Sequence, residues 1–222
     1  MELLCTDIHA HLVPAVDDGS RGPLDTVEML RGLAALGVER VHSTPHQFRF
    51  RNDFTVEELE IQAGGVRRLA EQAGLVIEVV PGAEHYFGER LLDALQKGEP
   101  LCTFESEGGR HLLIELPLNQ PAAGVRRVGE LLLEREITPV MAHPERLVPR
   151  LASLERVRDW IASGWKLQLN LPSLVGAHGR DAEAAARELI AVGEYAFAGS
   201  DLHRPSELDA LMRARAELRR LV

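Results

Sequence analysis

Seven short apolar runs punctuate this 222-residue chain, at residues 3–8, 40–43, 75–80, 112–116, 138–141, 166–169 and 195–198. The segments between them are rich in alanine, leucine, glutamate and arginine, with apolar residues at helical intervals. "LDTVEMLRGLAALG" keeps that spacing and ends on Gly37, a residue suited to a helix C-cap. "TVEELEIQAGGVRRLAEQAG" opens on Thr55 with Glu58 three positions later, the pattern of a capping box, and closes on Gly74. Strands that alternate with helices predict an α/β fold with a parallel sheet. No linker, low-complexity stretch or close repeat divides the chain, so one domain over residues 1–222 is expected.

A doubly wound open sheet and a closed barrel both fit this alternation. The polar residues help to choose, because they follow the apolar runs: "DIHAH", "TPH", "PGAEH", "IEL", "AHPER" and "SDLH". Ligands of an open sheet gather at one switch point, whereas all C-terminal strand ends of a barrel meet at one mouth. Contributions from six of the seven strands favour a barrel, one strand short of the usual eight.

These ends carry His9, His11, Asp17, Asp18, His46, Glu84, Glu115, His143, Asp201 and His203. Imidazole with carboxylate suits Zn, Mn, Fe and related ions. His-x-His on a strand puts both rings on one face, since side chains alternate, and Asp201 with His203 repeats the spacing. Glu115 interrupts the run "HLLIELPL", where an unpaired buried carboxylate would cost several kcal/mol. Each residue alone has a plainer explanation: a turn aspartate beside Gly19, a helix cap at Asp201, a solvated loop at Glu84. Their recurrence at the same end of successive strands is what points to metal. So many donors exceed what one ion takes, so two or three ions are expected. His42, His85, His111 and His178 are expected to be structural or surface histidines.

Clustered divalent cations suit phosphoryl transfer to water. Arginine complements phosphate oxygens in planar, bidentate fashion, and Arg146, Arg204 and Arg49 lie beside the candidate ligands. The loop "HQFRFRNDF" holds Phe48, Phe50 and Phe54, read either as packing onto the second helix or as a wall for an aromatic substrate.

Several classes are disfavoured. A net charge of −9 makes a poor general binder of nucleic acid. The two cysteines, Cys5 and Cys102, sit in no metal or disulfide spacing. A thiol phosphatase needs Cys-x5-Arg, but His11 and Gly108 stand at the arginine positions. The start "MELLCTDIHAH" lacks a signal-peptide pattern and no run approaches a membrane span, so a cytoplasmic, soluble protein is expected.

"DIHAHLVPAVDDGS", "STPH", "PGAE", "LIELP", "ITPVMAHPERL" and "AGSDLH" resemble, in order, the motifs of the PHP (polymerase and histidinol phosphatase) superfamily. The likeness is greatest to its bacterial tyrosine-phosphatase branch, the CpsB/YwqE type linked to capsule and exopolysaccharide synthesis. It spans residues 7 to about 205, and every expected ligand position is filled. The resemblance implies a distorted, TIM-like (β/α)7 barrel and a trinuclear, often Mn-dependent site, with Fe or Zn as alternatives. It implies one ion on His9, His11, Glu84 and Asp201, a second on Glu84, Glu115 and His143, and a third on Asp18, His46 and His203. It favours Asp18 over Asp17 as ligand, and implies phosphate-binding or catalytic roles for Arg146, with Asp18 and His203 beside it. The implied activity is hydrolysis of phosphotyrosine by metal-activated water, and the implied partner is a bacterial tyrosine autokinase. The alternatives are a phosphoesterase for a small phosphomonoester such as histidinol phosphate, and a non-catalytic metal-binding scaffold.

Overall fold

The computed structural model describes residues 5–106, 108–118, 123–148 and 153–221. It is an α/β fold with parallel sheets. Its strands are β1 (Thr6–Ala10), β2 (Arg40–Ser43), β3 (His46–Gln47), β4 (Glu78–Pro81), β5 (Glu84–Tyr86), β6 (Phe104–Ser106), β7 (Gly109–Glu115), β8 (Ile137–Ala142), β9 (Lys166–Asn170) and β10 (Tyr195–Gly199). The helices are α1 (Pro23–Ala35), α2 (Val56–Gln72), α3 (Glu89–Lys97), α4 (Val125–Leu133), α5 (Leu154–Ala162), α6 (Arg180–Ala191) and α7 (Leu208–Leu221). No described helix is long and apolar enough to cross a membrane.

Local chemistry sets the helix ends. The Thr55 side chain accepts from Glu58 N at 3.1 Å while Glu58 Oε2 accepts from Thr55 N at 2.8 Å, so the expected capping box starts α2. Pro23 opens α1, where a missing N–H costs nothing, and Gly37 follows its end in the left-handed region at φ 83°.

The strands depart from expectation in four places. The first apolar run spans 3–8, but the strand is Thr6–Ala10, and residues 3 and 4 lie outside the described residues. The second carries on as β3 after a break at Thr44 and Pro45, since proline has no N–H to give a ladder. The third is shifted: residues 75–77 are not strand, and after β4 the chain breaks at Gly82 and Ala83 before resuming as β5. The fourth run lengthens into a hairpin, because β6 pairs antiparallel with β7.

Pairing runs β1–β2–β4 in one sheet and β10–β9–β8–β7–β5–β3 in the other. The two meet where Asp201 N donates to His9 O at 2.8 Å and His11 N donates to Leu202 O at 3.0 Å. Alternation then sorts the side chains. On β7, Leu112 and Ile114 pack with α3 and α4, while Leu113 joins Ile8, Val140 and Ala142 in a small cluster on the opposite face. Glu115, two residues beyond Leu113, shares its face, and His143 follows Ala142 directly. The candidate ligands therefore stand at the end of this inner stack.

Candidate metal centre

His9 and His11 leave the end of β1 with both rings fully buried, and their Nε2 atoms lie 3.2 Å apart. Glu84, on β5, sits among four imidazoles. Its oxygens lie 2.9 Å from His46 Nδ1, 3.0 Å from His143 Nε2, and 3.4 Å from Nε2 of both His9 and His11. Asp201 Oδ1 lies 3.3 Å from His9 Nε2 and 3.6 Å from His203 Nδ1. Asp18 Oδ1 lies 3.2 Å from His46 Nε2 and 3.4 Å from His203 Nε2. Donor atoms converge in four groups: His11, Asp18, His46 and His203; His9, His11 and Glu84; His9, His143 and Asp201; His46, Glu84 and Glu115. All nine residues singled out by sequence as ligands belong to at least one group. The groups overlap the three implied sets but divide them differently, placing His143 with His9 and Asp201 as well as against Glu84.

The donor set fits divalent cations. Two buried imidazole nitrogens facing each other beside two carboxylates form a pocket that a cation satisfies. His143 Nδ1 is buried with no hydrogen-bond partner among the described residues. The backbone is also held in an uncommon state here: His143 has φ 37° and Asp201 φ 51°, conformations that cost of order 1 kcal/mol or more and persist where the surroundings impose them.

Without a cation the groups titrate one another. Burial pushes His46 down, but the carboxylates of Glu84 and Asp18 outweigh it and hold it at about 9. Burial would raise Glu84, yet the neighbouring imidazoles hold it well below the usual carboxylate range. Glu115 is pushed up to about 7 by burial and by the charge of Glu84, against the pull of Arg49. Burial and the Arg146 charge push His143 down to about 4.

A supporting layer was only partly legible. Asp17, unassigned from sequence, accepts from His11 Nδ1 at 2.8 Å, from His46 N at 2.9 Å and from Gly19 N at 2.9 Å. It fixes the His11 ring so that Nε2 points into the centre. Gln168 does the same for His9, with Oε1 3.0 Å from His9 Nδ1, and Asn170 Nδ2 donates to Asp201 Oδ2 at 2.9 Å. Sequence reasoning missed Gln168 and Asn170. The signal was the i, i+2 pair of amides in "KLQLN", on the one strand that supplied no ligand. Two glycines are required by close approach. A Cβ on Gly19 would overlap the His11 side chain, and one on Gly199 would lie 2.6 Å from His9 Cβ.

The arginines differ in placement. Arg146 Nη1 donates to Asp201 Oδ2 at 3.0 Å, on the 3-10 turn Pro144–Arg146. Arg49 Nη1 donates to Glu115 Oε2 at 2.5 Å, and its guanidinium lies 5.2 Å from the Phe50 ring and 5.3 Å from the Tyr86 ring. Arg204 Nη1 donates to the carbonyls of Gly19 and His203, tying the Asp-Asp-Gly turn to the end of the last strand. Of the three phenylalanines, Phe54 packs with Leu59 of α2, while Phe50 is 63% exposed with its ring edge-on to His46 at 5.6 Å. Of the four histidines expected to be structural or at the surface, His42, His85 and His111 are buried, and His178 lines a cleft with Arg146.

The chain is similar in sequence to known bacterial proteins. It is 28% identical over 201 residues to the tyrosine-protein phosphatase YwqE of Bacillus subtilis (strain 168), across 89% of this chain and 76% of that protein. It is 30% identical over 164 residues to the tyrosine-protein phosphatase CpsB of Streptococcus pneumoniae, across 74% of this chain and 66% of that protein. A solved structure from work on YwqE and CpsB, described there as unique metal-dependent tyrosine phosphatases, matches with a TM-score of 0.83. That match covers 96% of this chain and 86% of the other at 23% identity, and it is a likeness of fold. Residues 5–219 match the family described as "Capsular polysaccharide synthesis, CpsB/CapC", and the chain belongs to that family.

Proposed function

We propose that this chain is a metal-dependent phosphotyrosine-protein phosphatase, a phosphoric monoester hydrolase acting in capsular or exopolysaccharide synthesis. The observation that carries the reading is the convergence of nine histidine, aspartate and glutamate donors in overlapping groups beside Arg146 and Arg49. Family membership and the names of the relatives point the same way. The strand order supports a distorted (β/α)7 barrel, with β2 and β3 as one stave, β4 and β5 as another, and the Ala10–Leu202 bridge as the seam.

Two or three divalent ions, Mn foremost, would be held by the three sets that the resemblance implies: His9, His11, Glu84 and Asp201; Glu84, Glu115 and His143; and Asp18, His46 and His203. When bound, such ions supply Lewis-acid charge and lower the pKa of water enough to give a nucleophile at neutral pH. The chain's own groups do the rest. Asp17 and Gln168 hold the His11 and His9 rings in one tautomer and one orientation. Arg146 meets two phosphate oxygens with its planar fork, while its link to Asp201 fixes where that fork points. Arg49 adds a second positive charge, braced by Glu115 and by the Phe50 and Tyr86 rings. Arg204 adds a further cation beside His203. Phe50 offers a flat apolar face to the tyrosyl ring. The expected protein substrate is a bacterial tyrosine autokinase.

The test compares kcat/KM on a phosphotyrosyl peptide with that on histidinol phosphate. A preference for the peptide of tenfold or more is expected; a preference for histidinol phosphate overturns the substrate assignment.

A further inference from the structure

His178 lies between the 3-10 turn Leu171–Val175 and α6, and none of the roles above uses it. A hydrogen-bonded chain reaches it from the core. Tyr195 donates its hydroxyl to Glu145 Oε2 at 2.8 Å. Glu145 Oε1 accepts from Asn170 N at 3.1 Å and from Ser173 Oγ at 2.9 Å. Glu145 and Ser173 are both fully buried. The hydroxyl of Ser173 has a single proton, and that proton is committed to Glu145. Its oxygen can then only accept from His178 Nδ1, 3.1 Å away. The neutral ring is thereby fixed with its proton on Nδ1, and Nε2 is left as an acceptor. Burial and the Arg146 charge hold the imidazole down at about 4, which keeps the ring neutral.

His178 and Arg146 together line two adjoining clefts. One passes Asp201 and His203 of the metal centre. The other leads away past Leu118, Val148 and the first turn of α6. A lone pair next to a guanidinium is a poor partner for a phosphate dianion, which offers only oxygens. It suits a ligand that carries an N–H close to its anionic group. A phosphorylated residue within a polypeptide has such groups in its main chain, and apolar side chains flanking it would meet Leu118 and Val148.

We propose that the paired clefts across Arg146 and His178 are the track for the polypeptide flanking the phosphorylated residue, with His178 Nε2 accepting a main-chain N–H. Tyr195, Glu145 and Ser173 are positioning residues that hold the ring for this contact. The proposal rests on the phosphatase reading and deepens it, by making phosphorylated polypeptide the substrate that the site is built to take.

The experiment measures kcat and KM of the metal-loaded protein on a phosphotyrosyl peptide and on p-nitrophenyl phosphate. His178→Ala is expected to lower kcat/KM on the peptide about tenfold more than on p-nitrophenyl phosphate, mainly through KM, the size of one lost hydrogen bond. His178→Gln, which keeps an acceptor, should recover most of the peptide loss. Ser173→Ala, which frees the ring, should reproduce it in part. Equal losses on both substrates, or no rescue by His178→Gln, overturn the track while leaving the phosphatase reading intact. Absence of hydrolysis of either substrate by the unmodified protein overturns that reading and the track with it.

Discussion

Glu84→Gln is the sharpest perturbation of the centre, because it removes one charge with almost no change of shape. Glu84 is 1% exposed and lies within 3.4 Å of four imidazoles. In metal-stripped protein the His46 ring is held at about 9, against the 6.5 of an ordinary imidazole. A histidine raised on folding contributes stability that is fully present below about pH 6.5 and is lost as pH climbs through about 9. That span corresponds to about 3 kcal/mol. Glu84 is the largest source of the upward shift, so the variant forfeits most of it. Urea unfolding in excess chelator should find Glu84→Gln less stable than the parent by about 2–3 kcal/mol at pH 6, with the gap narrowing steadily towards pH 10. Calorimetric titration with Mn should find affinity weakened by about 100-fold or more, since even groups that only orient ligands are worth 10- to 100-fold. An unchanged dependence of stability on pH, together with unchanged stoichiometry and affinity for Mn, would refute the placement of Glu84 at the heart of the centre.

Three further outcomes follow from the geometry. Arg146→Lys replaces a planar fork by a point charge, so kcat/KM on aryl phosphates should fall about 100-fold, the size of one or two charged hydrogen bonds, with the unfolding midpoint little changed. Phe50→Ala removes an exposed ring, and should cut the preference for aryl over alkyl phosphates by about tenfold in steady-state assays. Glu145 is pushed up to about 7 by burial, so the parent loses stability as pH rises from about 4.5 through 7. Glu145→Gln removes that one titration, so the parent's stability should fall relative to the variant's by about 3 kcal/mol between about pH 4.5 and about pH 8 in chemical denaturation, whatever the shared groups contribute to both.

The alternation of apolar runs with helical segments was enough to read the α/β class, because period-two and period-3.6 patterns differ over those lengths. The breaks in the second and third strands were not legible. β3 and β5 are two and three residues long, too short for any periodicity to register. Residues that change the local pattern were visible: His-x-His on β1, the lone Glu115 in an apolar run, Asp201 and His203 after β10. Residues that act through another side chain were hidden. Gln168 and Asn170 look like ordinary strand polars until His9 and Asp201 are seen against them. Asp17 stands beside a more plausible ligand and next to a turn glycine, and only its contact with His11 Nδ1 separates its part from that of Asp18. His178 sits in a loop between two glycines, where no spacing rule applies, and its role depends on a chain that runs through Ser173 to Tyr195.

Metal content and turnover measured on the same sample test the central claim most directly. The purified protein would be assayed on a phosphotyrosyl peptide, with elemental analysis alongside, before chelation, after complete chelation, and after return of Mn, Fe or Zn. Two or three bound ions per chain, loss of turnover with their removal, and recovery with at least one of the three metals are the expected results. Undiminished hydrolysis by protein shown to hold no metal would contradict the account.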